Sequence, residues 1–339
     1  MNDQAAPSSA SPGGPRFTAA RLAGSVGIAL AAWVAVILAC SMIGQTELTW
    51  RVWNLRMLRL IPASLVGAGL SVAGVALQSL LRNPLASPEI LGISSGSAVG
   101  AMIFLLAEAA STITPAALGG TTGAAALGGL AATAIVYGVA QRRGKLDPYT
   151  LLLSGVIVTA FNGAIIMFLY LLASESVIKD ISVWAMGQVR EQSQMRAVAV
   201  TAAVILAGWG VLLAKAKAFN VQSLGDEVAA SVGVNVSALR IVTFVTAALM
   251  TAAAVALAGP IGFVGLIVPH ITRRIFGADH RTLIITAGFV GACFLAGADT
   301  FCRSIRFRAG ELPVGIITAM TGGPFFIYLL RRRFKEATL

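Results

Sequence analysis

The chain has 339 residues, of which 57% are hydrophobic and only 12% charged, with a mean hydropathy of +0.84. A soluble globular domain carries about 25% charged residues, so a soluble enzyme or carrier is excluded. The unbroken apolar runs likewise exclude a transmembrane β-barrel, whose strands alternate apolar and polar residues, and the net charge of +11 is read as the basic bias of cytoplasmic loops rather than as a nucleic-acid footprint.

From the N-terminus, Met1 to Pro15 is rich in Ser, Pro, Ala and Gly and reads as part of a disordered tail, here taken as residues 1–20. The first apolar run exceeds a signal-peptide core and no small-residue cleavage site follows it, so it reads as the first span. Apolar segments then recur at Leu22–Ile43, Leu60–Leu81, Ile90–Ala107, Thr114–Ala140, Tyr149–Leu172, Val198–Ala214, Leu239–Ala258, Ile261–Ile275, Leu283–Phe301 and Val314–Leu330. A bilayer-crossing helix needs about twenty such residues. The expectation is an all-α membrane protein of about ten transmembrane helices, one domain over residues 21–332 with a short tail at 333–339. The eighth segment is short and opens on Gly259-Pro260, which points to a broken or re-entrant element.

Threading ten crossings with the N-terminus inside places most Lys and Arg in the cytoplasm: Arg16, Arg21, Arg82, Arg142, Arg143, Lys145, Lys215, Lys217, Arg240, Arg273, Arg274, Arg281 and the Arg331–Lys335 cluster. Both termini are therefore expected inside. Gly92, Gly96 and Gly100 read as a small-residue ladder for close helix packing, with Gly119 and Gly123 as another. Cys40, Cys293 and Cys302 have no metal or redox spacing. Gly-x-x-x-x-Gly-Lys-Ser/Thr is absent from the sequence, so it offers no P-loop, and nothing in it suggests a serine hydrolase.

Three features depart from a plain bundle. Residues 223–234 contain Leu224, Val228 and Val232 at one-face spacing, Asp226 and Glu227 where a first helical turn would fall, and Gly233 where the helix would stop. That is either a linker between spans or a short surface helix with an Ala/Gly face suited to a partner's groove. On the outer side, Arg56 and Arg59 precede the second span, and Arg303, Arg306 and Arg308 follow the ninth. A guanidinium fork fits carboxylates, so Arg56, Arg59 and Arg303 are candidates to receive an acidic partner, whereas Arg51 and Arg308 are assigned to interfacial snorkelling. Thirdly, the spans are poor in charge. Ion-coupled transporters keep ionisable groups at membrane depth, and here only His270 and Asp299 come close, both read as local structural groups. An ion-coupled secondary transporter is the alternative reading, and this poverty of charge argues against it.

Several motifs stand in order along the chain: Arg56-Met57-Leu58-Arg59; Gly74-Val75-Ala76-Leu77-Gln78 with Arg82-Asn83-Pro84-Leu85-Ala86-Ser87-Pro88 and Leu91-Gly92-Ile93-Ser94-Ser95-Gly96; Leu224-Gly225-Asp226-Glu227 with Ala229 and Gly233; Ala258-Gly259-Pro260 through Val268-Pro269-His270; and Glu311-Leu312-Pro313-Val314-Gly315 followed by Gly323-Pro324-Phe325-Phe326. From about Ile43 to Leu330 the chain resembles the FecCD-type permeases of ABC importers for iron-siderophore, haem and vitamin B12. It departs from the pattern at Leu58, where the family commonly has Pro.

The resemblance implies a ten-helix permease like that of the vitamin B12 importer (a type II ABC importer), in the bacterial inner membrane. Partners would be a second permease chain, identical or paralogous, two ATPase subunits and a periplasmic or lipid-anchored binding protein. ATP and magnesium would sit on the ATPases, with no cofactor on this chain. The Leu224–Gly233 helix, through Leu224, Gly225, Asp226, Glu227, Ala229 and Gly233, would dock on the ATPase. Arginines equivalent to Arg56, Arg59 and Arg303 would meet the binding protein, and Tyr149 and Thr150 would form the inner gate. The cargo implied is a bulky metal chelate, a ferric siderophore first, then haem or cobalamin.

Overall fold

A computed structural model describes residues 18–44, 47, 49–114, 119–142, 144–189, 195–307 and 310–337. Among them the helices are α1 (Ala19–Met42), α2 (Trp50–Leu80), α3 (Ile93–Ala109), α4 (Gly120–Ala140), α5 (Pro148–Leu172), α6 (Glu175–Ala185) and α7 (Met195–Ala214). They continue with α8 (Ala216–Gln222), α9 (Asp226–Ser231), α10 (Val236–Ala258), α11 (Val264–Phe276), α12 (His280–Ser304) and α13 (Val314–Ala337). Two minimal hairpins join them, β1 (Gln141–Arg142) with β2 (Lys145–Leu146) and β3 (Arg306–Phe307) with β4 (Gly310–Glu311).

Each of the ten apolar segments of the sequence contains a helix. Eight are long and apolar enough to cross a bilayer. The other two, α3 with 17 residues and α11 with 13, are shorter. The protein is thus a multi-pass helical membrane protein, with eight clear spans and two short helices completing the bundle.

The spans start where side chains can absorb orphan amide donors, which is costly to omit in a bilayer. Thr18, Thr49, Asp147 and Asn235 each accept a bond from the backbone N–H three residues on, at 2.7–3.3 Å. α2 begins at Trp50, ten residues before the apolar run that signalled it, because Asn54, Arg56 and Arg59 lower the hydropathy without weakening the helix. It continues through Pro62, which has no N–H to offer the Leu58 carbonyl.

α2 is the axis of the bundle: 89% of its most apolar window is buried, against 6% for α1, which lies on the periphery. Close approach makes this possible. A Cβ on Gly74 would fall 2.0 Å from the Gly265 carbonyl oxygen, so only glycine lets α2 and α11 touch backbone to backbone. Gly96 and Gly100 do the same against α4, as the ladder in the sequence predicts. Gly92 and Gly119 instead adopt positive φ (75° and 77°) at the N-caps of α3 and α4; Gly119 has open space around it, so conformation alone accounts for it, whereas a Cβ on Gly92 would also press on Val158 of α5 at 3.1 Å.

The expected break at Gly259-Pro260 is real. α10 stops at Ala258, Gly259 (φ 71°) and Phe263 (φ 68°) turn left-handed, and α11 starts at Val264. Irregular backbone is tolerated here because it is packed in protein: Ile261 is 1% exposed, and the free Ala258 carbonyl accepts the Gln188 N–H at 2.8 Å. Cys40 and Cys302 are buried and Cys293 partly so, and none of the three is in a disulfide.

Candidate functional site

One end of the bundle carries a built surface element, α8 and α9, joined by Ser223–Gly225. Gly225 (φ 133°) precedes α9 and Gly233 (φ 86°) follows it. The Val234 N–H reaches Ala229 O (2.9 Å) and the Gly233 N–H reaches Ala230 O (3.0 Å), the paired bonds of a Schellman stop with glycine at the left-handed position. A Cβ on Gly233 would meet nothing within 4 Å, so Gly233 serves the backbone turn and not a tight contact. Ala229 faces inward at 0% exposure, while three apolar side chains are exposed: Leu224 (72%) before the Gly225 turn, Val228 (45%) within α9 and Val232 (63%) at its C-cap. Glu227 is exposed beside them.

This element is held from three directions. The Asp226 carboxylate receives Arg82, from the loop after α2, on one oxygen and Arg240, from α10, on the other, each at 2.5 Å. Arg82 itself sits at φ 48°, an uncommon conformation for a residue with a side chain, and also donates to Gln222 O at 3.2 Å. On the other flank, Asn220 of α8 donates to Asp279 Oδ1 (2.8 Å) and accepts from the His280 backbone N–H (2.9 Å). The His280 ring bridges Asn220 Oδ1 (2.7 Å) and Ser79 Oγ (2.6 Å). Burial works to raise the Asp279 carboxyl, but bonds from Asn220 and the Arg281 backbone N–H, with the Arg281 charge, outweigh it and hold the group below its ordinary value.

The outer arginines are placed differently from the expectation of an exposed ring. Arg56 is 6% exposed and donates to Ser41 O at 2.8 Å, neutralising a free carbonyl at the end of α1. Arg59 is 5% exposed and grips Asp299 of α12 through Nε and Nη2 at 3.1–3.2 Å. Arg303 approaches the same carboxylate at 3.3 Å and bonds Thr300 Oγ1 at 3.2 Å. Two guanidiniums therefore share one buried carboxylate, and the cluster ties α2 to α12. The side chain of Arg306 and the whole of Arg308 lie outside the described residues, as do Arg16 and the Met1–Pro15 tail.

Tyr149 and Thr150, the gate candidates, open α5. Thr150 is committed to the cap, giving its N–H and hydroxyl to Asp147 Oδ2 at 2.7 and 2.6 Å. Tyr149 is 75% exposed and heads a row with Leu153, Ile157 and Phe161, each four residues on and each at least 50% exposed. Among the described residues no group of three or more His, Cys, Asp or Glu could hold a metal ion.

This helical bundle has known counterparts. Residues 17–332 match the model of the FecCD transport family. The chain belongs to the FecCD family. Among its relatives, the cobalamin import system permease protein BtuC of Halobacterium salinarum is 43% identical over 286 residues, 84% of this chain and 74% of that one. The hemin transport system permease protein HmuU of Yersinia pestis is 38% identical, with 85% of each chain covered. The Fe(3+)-citrate import system permease protein YfmD of Bacillus subtilis is 37% identical over 82% of this chain and 80% of its own. A solved structure described as an inward-facing, metal-chelate type ABC transporter superposes with a TM-score of 0.80 at 29% identity, covering 91% of this chain and 99% of the other.

Some structural residues of this FecCD protein were not singled out by sequence reasoning. α6 was missed altogether, because a search for apolar runs passes over an 11-residue amphipathic helix; its signal was Val177, Ile181 and Trp184, all buried, at spacings of four and three. The cross-links Arg82–Asp226 and Arg240–Asp226, 144 and 14 residues apart, were also missed, since neither spacing is a helical repeat that a sequence pattern would show.

Proposed function

We propose that this chain is the permease subunit of an ABC importer that carries a bulky metal chelate, a ferric siderophore first and haem or cobalamin next. The observation that supports it most directly is the α8–α9 element: the exposed apolar side chains of Leu224, Val228 and Val232 on a mount of crossed ion pairs, in a chain of a family whose members include cobalamin, hemin and ferric-citrate import permeases. Exposed apolar side chains with a polar flank suit a groove on a partner, here an ATPase subunit in which ATP and magnesium reside.

On this reading the chain works in the inner membrane with both termini in the cytoplasm. It pairs with a second permease chain, identical or paralogous, across faces such as the Tyr149–Phe161 row, and Tyr149 closes the path below. A binding protein delivers the chelate above. Because Arg56 and Arg59 are used inside the fold, Arg303, at 12% side-chain exposure, is the one of the three best placed to meet an acidic group.

The test is co-purification of this chain with a candidate ATPase and binding protein, then ATP hydrolysis in vesicles with each metal chelate. Stimulation by one loaded binding protein is expected, and Gly233→Trp should abolish it, since no side chain adopts φ 86° readily at the α9 stop. Full stimulation in that variant would sink the coupling role of α9, and chelate uptake driven by an ion gradient without any ATPase would sink the importer reading.

A further inference from the structure

Between α4, α7 and α10 lies an intramembrane crevice of about 360 Å3. Its walls are made of small and apolar groups, among them Gly123, Ala126, Val204 and Ala253. Thr201, also in the wall, gives its hydroxyl to the Ala253 carbonyl at 3.4 Å. The rim residues Val200 and Leu249 are 61% and 42% exposed, so the crevice opens on the outside of the bundle and not into its core. One charged side chain lines it, that of Arg196.

Arg196 is oddly placed for a structural cation. It is the second residue of α7, at the positive end of the helix, where a cation is disfavoured and an anion is favoured. Among the described residues it has no carboxylate within ion-pair distance, and its side chain is exposed. A guanidinium beside a helix N-terminus forms a ready anion-binding pair.

The dimensions match a lipid. The crevice follows α7 from Arg196 to Val204 and α4 from Gly119 to Leu130. At 1.5 Å per residue these are about 12 and 16 Å, close to one leaflet of a roughly 30 Å hydrocarbon core. The three helix ends coincide, since the starts of α4 and α7 and the end of α10 all border the charged mouth. We infer that this crevice binds one phospholipid, its phosphate on Arg196 at the start of α7 and one acyl chain along the small-residue wall. The inference rests on the cavity and its charge and is independent of what the permease transports.

The test uses the full chain in vesicles of phosphatidylethanolamine doped with phosphatidylglycerol bearing a photoreactive diazirine in one acyl chain. Adducts should concentrate on the peptides containing Val200, Val204 and Ala253. Arg196→Gln should lower that labelling about ten-fold, the value of one charge-assisted bond, while Arg196→Lys keeps most of it. Ala253→Phe fills the wall and should lower labelling without touching the charge. Both losses must appear in protein that keeps the wild-type thermal melt. Labelling spread evenly around the bundle, or unchanged by Arg196→Gln and Ala253→Phe alike, would overturn the site. An Ala253→Cys variant that forms a disulfide-linked dimer in place of lipid adducts would assign the crevice to a second copy and equally refute it.

Discussion

Replacing Asp299 by Asn keeps the shape of the side chain and removes one charge from a cluster of three. Wild type holds two guanidiniums against one carboxylate, at 3.1 Å for Arg59 and 3.3 Å for Arg303, with the side chains 6%, 12% and 1% exposed. Breaking a buried pair by deleting one partner costs about 3–5 kcal/mol, because the surviving charge stays desolvated. Here two survive, so the upper half of that range applies. At roughly 2 °C per kcal/mol for a chain of this size, Asp299→Asn should melt about 8–10 °C lower in detergent, read by intrinsic fluorescence on the monodisperse fraction. Arg303→Gln should cost less than half as much, since Arg303 makes the longer contact and is the more exposed of the two. The double variant Arg59→Gln, Asp299→Asn should be no worse than Asp299→Asn alone, as the partners act as a unit. A melt within 1 °C of wild type for Asp299→Asn, or a larger loss for Arg303→Gln, would refute the view that the triad is an internal tie between α2 and α12.

Gly74→Ala should prevent accumulation of folded protein, because its Cβ would collide with the Gly265 backbone, whereas Gly138→Ala, with nothing within 4 Å, should express at least as well as wild type; size-exclusion profiles of tagged protein decide between them. Asp226→Ala removes two partly exposed ion pairs, worth about 1 kcal/mol or less each, so the melt should fall by less than about 4 °C. If α9 is the coupling element, ATPase stimulation in the reconstituted complex should nevertheless drop several-fold, and an unaltered stimulation would show that α9 needs no anchoring to do its work.

How much of this was readable from residues alone depended on the range of the physics. Hydropathy acts locally, so ten apolar segments became ten helices, and Gly259-Pro260 announced its break through two residues that leave helical geometry for intrinsic reasons. Gly233 was legible for the same cause. The beginning of α2 was hidden, because Arg56 and Arg59 look like solvent-facing residues until their partners, Ser41 O and Asp299, are brought beside them. The resemblance to FecCD permeases found the family on motifs that matched residue by residue, but a motif does not say whether an arginine is displayed or buried. α6 escaped since its three buried side chains make a narrow stripe that averages away in any window wide enough to detect a span.

The crossed bonds at Asp226 also have a mechanical meaning. A load applied to Leu224 or Val228 cannot be absorbed by bending one hinge, for Asp226 passes it at once to the loop after α2 and to α10, and Asn220 passes it to the start of α12. A short helix with three such struts behaves as a stiff tripod, so even an ångström of travel at its tip is delivered to the buried axis of the bundle and to two helices packed against it.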